Sequence, residues 1–430
     1  MRVFQTLLAF SGNAPPQLAL TRELVKRGHE VRVLAHRAAR TRIEDTGAEF
    51  VAFKTLPDLD LTRRETDSIR DWEARTALGG AKRMRDAVIE PVPEATREIF
   101  GLLDGWSADV VVFDWLFVGA AVAAEHAGIP AVALVHCPYP LPARGAPPLF
   151  SGLKPMAGAL GSTRDRLLNS LMNRFSATGL PVLNETRAEH GLAPLPHWND
   201  QVLGTRAIYV MTAPELDYSS RAELPANVRY VGPAFEPFDS DWESPWPAEN
   251  TDPLVLISFS TSYMDQRRLA QRVLDAVAGL RVRALLTVGP ALDTSELRIP
   301  GNTHAVAFLA HRTVLPHASL VVTHAGWQTI NAALADGVPL VCVPDARDQP
   351  DNAARVVVAG AGVRVSKNSS PARLRRVIVS ALDDQSLKHG AAVMAEALAR
   401  QDGAATIADE LERLPARGAV RATTPGVATS

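Results

Sequence analysis

Residues 321–344 read VVTHAGWQTINAALADGVPLVCVP, and the order of residue types in that stretch decides the fold. The apolar run from Ser319 to Thr323 predicts a buried strand. Small residues, Ala325 and Gly326, then let the chain turn, and a helix is expected to open near Gln328 or Thr329. Pro339–Val343 predicts the next strand, so the stretch is a βαβ unit. The first turn of such a helix offers unpaired N–H groups and a partial positive charge to an anion. His324 and the Thr329 hydroxyl can add donors to a diphosphate. Spacing alone predicts equally well a strand–helix turn with Thr329 as a simple cap.

The same alternation runs outward in both directions. Toward the N-terminus, Val3–Phe10 reads as a strand and Gln17–Arg27 as a helix, with Leu18, Leu20, Leu24 and Val25 on one stripe and Gly28 as its stop. Glu30–Ala35, Asp109–Phe113 and Pro130–Val135 are further strands. A second series holds strands at Leu254–Phe259 and Ala284–Val288 around a helix at Arg267–Leu280. Repeated βα units imply an α/β fold, with parallel sheets covered by helices on both faces. At 430 residues the chain is too long for one typical core. Two domains are therefore expected, over residues 1–213 and 251–414. The Pro-, Asp- and Glu-rich stretch 214–250 reads as a linker, and 415–430 as a disordered tail. Residues 57–100 and 145–200 break the rhythm as insertions at strand ends, where α/β proteins bind ligands. Trp72, Met84, Trp115, Phe117, Tyr139 and Phe150 are candidates there for an apolar wall.

Composition excludes several classes of function. The chain is 47% hydrophobic and 21% charged, an ordinary globular balance. A formal net charge of −2 supplies no cationic surface for nucleic acid. Two cysteines, Cys137 and Cys342, form neither a disulfide framework nor a Cys-rich zinc site, and both follow apolar runs as buried thiols do. The N-terminal apolar run is short, lacks a cleavage signature and leads into a loop and helix. No later stretch reaches the ~18 apolar residues of a membrane span. The expectation is a cytoplasmic protein, without stable membrane insertion, as monomer or homodimer.

The motif His324, Gly326, Trp327, Thr329 resembles the H-x-G-W-x-T/S signature of the family-one glycosyltransferases. Asp348-Gln349 and Asn352-Ala353 are similar to the acidic-Gln pair and the N-A that follow it. That resemblance implies a GT-B fold, two facing Rossmann-like domains with an interdomain cleft, and a nucleotide-sugar donor held mainly by the second. It places Ser260 and Thr261 near the diphosphate and His311 at the base, and it aims Asp348 and Gln349 at the sugar hydroxyls. Gln328 falls inside the motif. Ser260 stands where the family has Gly, and Ala332 where plant members have a ribose-binding Glu. The resemblance implies no metal and no cofactor beyond a UDP- or TDP-sugar donor; the helix start and His324 would stand in for a cation.

Inverting transfer needs a base for the acceptor proton. Family members take it from a His in the first loop, oriented by an Asp after a later strand. Here the loop reads Gly12-Asn13-Ala14-Pro15-Pro16, and Asp114 closes the run D-V-V-V-F-D-W. An amide has no useful basicity near pH 7. Three readings stay open: Asp114 as base with Asn13 holding the acceptor; another group such as His136, or an acceptor acidic enough to need little help; or a non-catalytic auxiliary homologue. The expected acceptor is a hydrophobic secondary metabolite, a polyketide or aromatic aglycone, with a lipid or glycan as the alternative.

Overall fold

The computed structural model describes residues 1–8, 12–74, 76–238 and 242–414. Among the described residues, thirteen strands divide between two sheets. The first contains β1 (Arg2–Leu7), β2 (Glu30–Ala35), β3 (Glu49–Ala52), β4 (Val110–Asp114), β5 (Ala131–Val135), β6 (Ala207–Val210) and β7 (Val228–Tyr230), in the order β3-β2-β1-β4-β5-β6-β7. The second contains β8 (Leu254–Ser258), β9 (Arg283–Thr287), β10 (Thr303–Val306), β11 (Leu320–Thr323), β12 (Leu340–Cys342) and β13 (Gly362–Arg364), in the order β10-β9-β8-β11-β12-β13. Every pairing between these strands is parallel. Apart from the edge strand β7, each sheet has the doubly wound Rossmann order, which leaves a crevice where the order reverses.

The central strands are buried from end to end, as strands covered on both faces must be. One face of the first sheet packs Phe4, Val111 and Phe113 against Ile99, Leu103 and Val122 from the helices Val92–Gly105 and Val118–His126. Its other face packs Val3, Val33 and Val112 against Leu18, Leu20 and Leu24. The helix expected over Gln17–Arg27 spans Ala14–Lys26, with Pro15 and Pro16 in a first turn that needs no proline N–H.

The chain departs from its expected division in two places. Within 214–250, Val228–Tyr230 joins the first sheet as its edge strand, and Asn227 ties down the preceding segment through the carbonyls of Leu203 and Thr205. At the other end, helix Gly403–Glu412 lies on the first domain. It buries Ala404, Ile407, Ala408 and Leu411 beside Leu18 and Leu24, and Arg27 pairs with Asp409 at 2.5 Å. An apolar stripe announces a helix but not which sheet it will cover. Residues 415–430, read as a tail, and Ala9 and Phe10, read as the end of the first strand, lie outside the described residues.

Both thiols are buried, and burial pushes Cys342 up to about 12. Among the described residues, no helix is long and apolar enough to cross a membrane.

Candidate active site

The β8–β11 crevice gathers most of the expected donor residues. Register pairs Thr323 with Ser258 and Ser258 with Thr287, so the loops after β8, β9 and β11 leave the sheet side by side. Ser260 and Thr261 follow β8. His311 reaches the end of β9, its Nε2 lying 3.0 Å from the Thr287 hydroxyl. After β11, Ala325 takes a left-handed φ of 71°, a strained conformation for a residue with a Cβ. The helix then opens at Trp327 with Gly326 as N-cap and no side chain capping it, so its first N–H groups have no side-chain acceptor there. Thr329 is thus not the cap that spacing alone allowed.

Gly326 has a steric role. A Cβ at that position would lie 2.7 Å from His324 Nε2, so only glycine lets the imidazole lie against the helix start. The His324 ring is 7% exposed, and burial lowers its pKa to about 4. Burial therefore favours the neutral imidazole, whose Nδ1 faces the Ser258 carbonyl at 3.5 Å. The positive end of the crevice is the helix terminus itself.

Several expected donor residues are placed differently from one another. Gln328 and Thr329 are half-buried at the helix start, but the Trp327 side chain is 4% exposed and belongs to the core; only its backbone faces the turn. Asp348 is half-buried at the N-cap of helix Gln349–Val358 and accepts from Asn352 at 2.9 Å. Gln349 is 3% exposed, and its carbonyl oxygen accepts from the Asp345 and Ala346 N–H groups at 2.8 and 3.2 Å. Its amide thus holds together the loop that carries Asp348.

Burial also makes acid stability a property of this crevice. His324 and His311 are both pushed down to about 4, against ~6.5 in an unfolded chain. Between those values the unfolded chain binds more protons, so stability is complete above about pH 6.5 and falls as pH drops toward 4. The loss for His324 alone is on the order of 3 kcal/mol. The unfolding midpoint of His324→Gln should therefore fall less steeply from pH 6.5 to 4 than that of the wild type, as differential scanning calorimetry would show.

The β1–β4 crevice of the first sheet holds the other cluster. Asp114, at the end of β4, has no exposed surface. Its carboxylate accepts from Gln17 Nε2 at 3.0 Å, from the Leu116 N–H at 3.1 Å and from the Asn13 side chain. His136, just past β5, brings Nδ1 to 3.4 Å from Asp114 Oδ2, and that nitrogen has no hydrogen-bond partner. Burial raises the Asp114 pKa, opposed by His136 and the three donors. The three residues singled out in the first half, Asn13, Asp114 and His136, thus meet in one place. Gln17 was missed. Its signal was a polar residue on the buried stripe of the first helix, where it also bonds the Asn13 carbonyl at 3.2 Å.

The two crevices face each other. Gln328 Nε2 donates to the His136 carbonyl at 3.3 Å, joining the start of the donor helix to the Asp–His cluster. Beside the cluster, a cavity of about 510 Å³ opens in the first domain between Leu8, His36, Ile69, Arg83, Leu116 and Phe117. Of the aromatic wall expected from sequence, only Phe117 lines it. Tyr139 is buried, Phe150 is 51% exposed, and Trp72 packs on Tyr263.

Two Rossmann-like sheets that present their crevices to each other across a cleft define the GT-B fold. Comparison with known proteins agrees. Residues 271–414 match the family described as erythromycin biosynthesis protein CIII-like, C-terminal domain. The chain is 30% identical to 4'-demethylrebeccamycin synthase of Lentzea aerocolonigenes over 420 residues, covering 96% of this chain and 99% of that protein. Among solved structures, the glycosyltransferase of kitacinnamycin superposes with a TM-score of 0.77 at 22% identity, over 96% of this chain and 99% of that one. Glycosyltransferase VinC, solved with dTDP, gives 0.67 at 22% identity, over 96% and 99%. The chain belongs to the family-one GT-B glycosyltransferases of natural-product pathways. It is an enzyme of nucleotide-sugar glycosyl transfer, so the auxiliary, non-catalytic reading raised by Asn13 is not favoured.

Proposed function

We propose that the enzyme transfers a hexose or deoxyhexose, with inversion, from a TDP- or UDP-sugar to a hydrophobic aromatic or polyketide acceptor. The diphosphate lies against the start of helix Trp327–Ala335, with His324, Thr329, Ser260 and Thr261 around it and His311 toward the base. Asp348 addresses the sugar hydroxyls, while Gln349 supports it from below. The cavity beside Phe117 takes the acceptor, and its volume suits a drug-sized, mainly apolar molecule. A dTDP complex of a structural neighbour supports TDP as the first donor to test.

The observation that carries the chemistry is the contact between His136 Nδ1 and a fully buried Asp114. A carboxylate sealed under Gln17, Asn13 and the Leu116 N–H has no face left for an acceptor. His136 is therefore the base, and Asp114 orients and stabilises its imidazolium. With Nδ1 turned to Asp114, Nε2 takes the acceptor proton as the acceptor heteroatom attacks the anomeric carbon. The bond from that carbon to the diphosphate oxygen breaks on the opposite face, and its electron pair leaves with the nucleotide. Charge on the leaving group is met by the helix N–H groups and the neutral His324 donor, and this reading assigns no metal. Asn13 holds Asp114 in place and can bind the acceptor, but it moves no proton.

The test is a panel of TDP- and UDP-sugars with aromatic and polyketide acceptors, followed by NMR of the product anomer. Retention of configuration, or no rise in unfolding midpoint with either nucleotide, would sink the reading. His324→Ala should weaken binding of TDP or UDP by about 10- to 100-fold in calorimetry, as loss of a charge-assisted donor does.

A further inference from the structure

Residues 57–74 form a strap that leaves the first domain after β3 and grips two loops of the second. Asp71 accepts two bonds from the Arg347 guanidinium, at 2.8 and 2.7 Å, and its side chain is only 4% exposed. The Tyr263 N–H donates to the Leu61 carbonyl at 2.7 Å, and the Tyr263 ring meets Trp72 edge-on with centroids 4.9 Å apart. The gripped loops are the one after β8, which carries Ser260 and Thr261, and the one after β12, which carries Asp348.

The strap has an internal frame. Asp67, 2% exposed, accepts from the Ile69 and Arg70 N–H groups at 2.9 and 3.1 Å and from the Trp72 indole at 2.9 Å. Those bonds set Asp71 and Trp72 side by side toward the second domain. On the far side, Arg347 is held at a left-handed φ of 56°, a strained conformation for a residue with a Cβ that needs a compensating contact. A bidentate pair to a buried carboxylate is such a contact, and it fixes both the distance and the plane of the guanidinium. Arg347 directly precedes Asp348, so whatever fixes its backbone fixes the position of Asp348.

We propose that the strap is a clamp for the donor sugar: the Asp71–Arg347 pair seats Asp348, so that a sugar is recognised only with the domains closed. Asp71 and Arg347 are positioning residues and touch no substrate. The inference rests on the reading of Asp348 as the sugar ligand. Its consequence is selective, because helix Trp327–Ala335, His324 and His311 on the nucleotide half make no hydrogen bond to Arg347 among the described residues, and the loop with Ser260 and Thr261 meets the strap through Tyr263, Leu61 and Trp72 rather than through Asp71.

Calorimetry on the full chain tests this, with TDP and UDP as one arm and TDP-glucose and UDP-glucose as the other. Asp71→Asn should lower affinity for the nucleotide-sugars about tenfold or more and leave free-nucleotide affinity within about threefold. In turnover, donor KM should rise more than kcat falls. The charge-exchanged pair Asp71→Arg with Arg347→Asp should recover part of the loss, which a general packing defect would not allow. Arg347→Lys, which keeps the charge but not the fork, carries the same comparison should Asp71→Asn fail to fold. Equal loss for nucleotides and nucleotide-sugars, or no loss for either, overturns the clamp alone. A wild type that binds neither nucleotide overturns the donor-site reading, and the clamp with it.

Discussion

His136→Ala should lower kcat by about 10²- to 10⁴-fold while leaving the affinity for TDP or UDP within about twofold. The asymmetry follows from the geometry. His136 lies on the first domain, with Nδ1 3.4 Å from Asp114, and among the described residues it is bonded to the donor side through its backbone carbonyl, which an alanine keeps. On the proposed reading, removing the imidazole deletes the proton acceptor of the transition state and none of the groups assigned to the nucleotide. Asp114→Asn should fall in the same range, because an amide can neither hold the Nδ1–H tautomer in the same way nor stabilise an imidazolium. Asn13→His is the control. If His136 is the base, a second imidazole near Asp114 should change kcat by less than about tenfold. A gain of several orders of magnitude would instead show that the first loop is the natural seat of the base and that His136 is a strand-end bystander. Single-turnover kinetics with saturating donor separates the chemical step from binding.

A comparable effect on stability is expected at the junction between the domains. Asp217 has no exposed surface and Arg355 is 1% exposed; they pair at 2.8 Å between the segment after β6 and helix Gln349–Val358. Arg355 also bonds the Tyr218 and Ser219 hydroxyls, each at 3.0 Å. Asp217 accepts in addition from Tyr230 Oη and the Tyr139 N–H, both at 2.8 Å. Every strong donor and acceptor is satisfied, which is the condition for a buried ion pair to be tolerated at all. Asp217→Ala leaves a guanidinium buried without its anion and should cost about 3–5 kcal/mol, lowering the unfolding midpoint by roughly 5–15 °C. Replacing both partners, as Asp217→Leu with Arg355→Met, should be less damaging than Asp217→Ala, because the guanidinium and its bonded carboxylate leave together and only the neighbouring buried Asp351 loses a cation. A double replacement as unstable as the sum of the singles would mean that the two residues act separately. Because the pair joins the two halves, weakening it should also loosen the cleft and raise KM for donor and acceptor together.

Much of the architecture was legible in one dimension. Val110–Asp114 and Ala131–Val135 are short apolar runs, each a residue or less from where they were read, because a strand buried on both faces has few ways to disguise itself. The donor helix was legible for a similar reason. Its signal is local, a strand, two small residues and a helix start within ten positions. Pairings across long separations were not legible. Asp71 and Arg347 are 276 residues apart, and Asp217 and Arg355 are 138 apart. In the sequence each is one charged residue among many, and nothing periodic marks its partner.

The sequence by itself determined two Rossmann-like units, a strand–turn–helix after a buried strand, and an Asn13 where the family it resembles has a histidine. Those features depend on residue type and spacing over a turn or two of chain, where backbone geometry leaves little choice. The fold decided the rest. It brought His136 to Asp114, buried that carboxylate completely, committed Gln349 to its own loop, and laid the last described helix on the first domain. Each outcome rests on which surfaces meet after two sheets have closed on each other. Packing of distant apolar faces sets that meeting, and local propensity does not encode it.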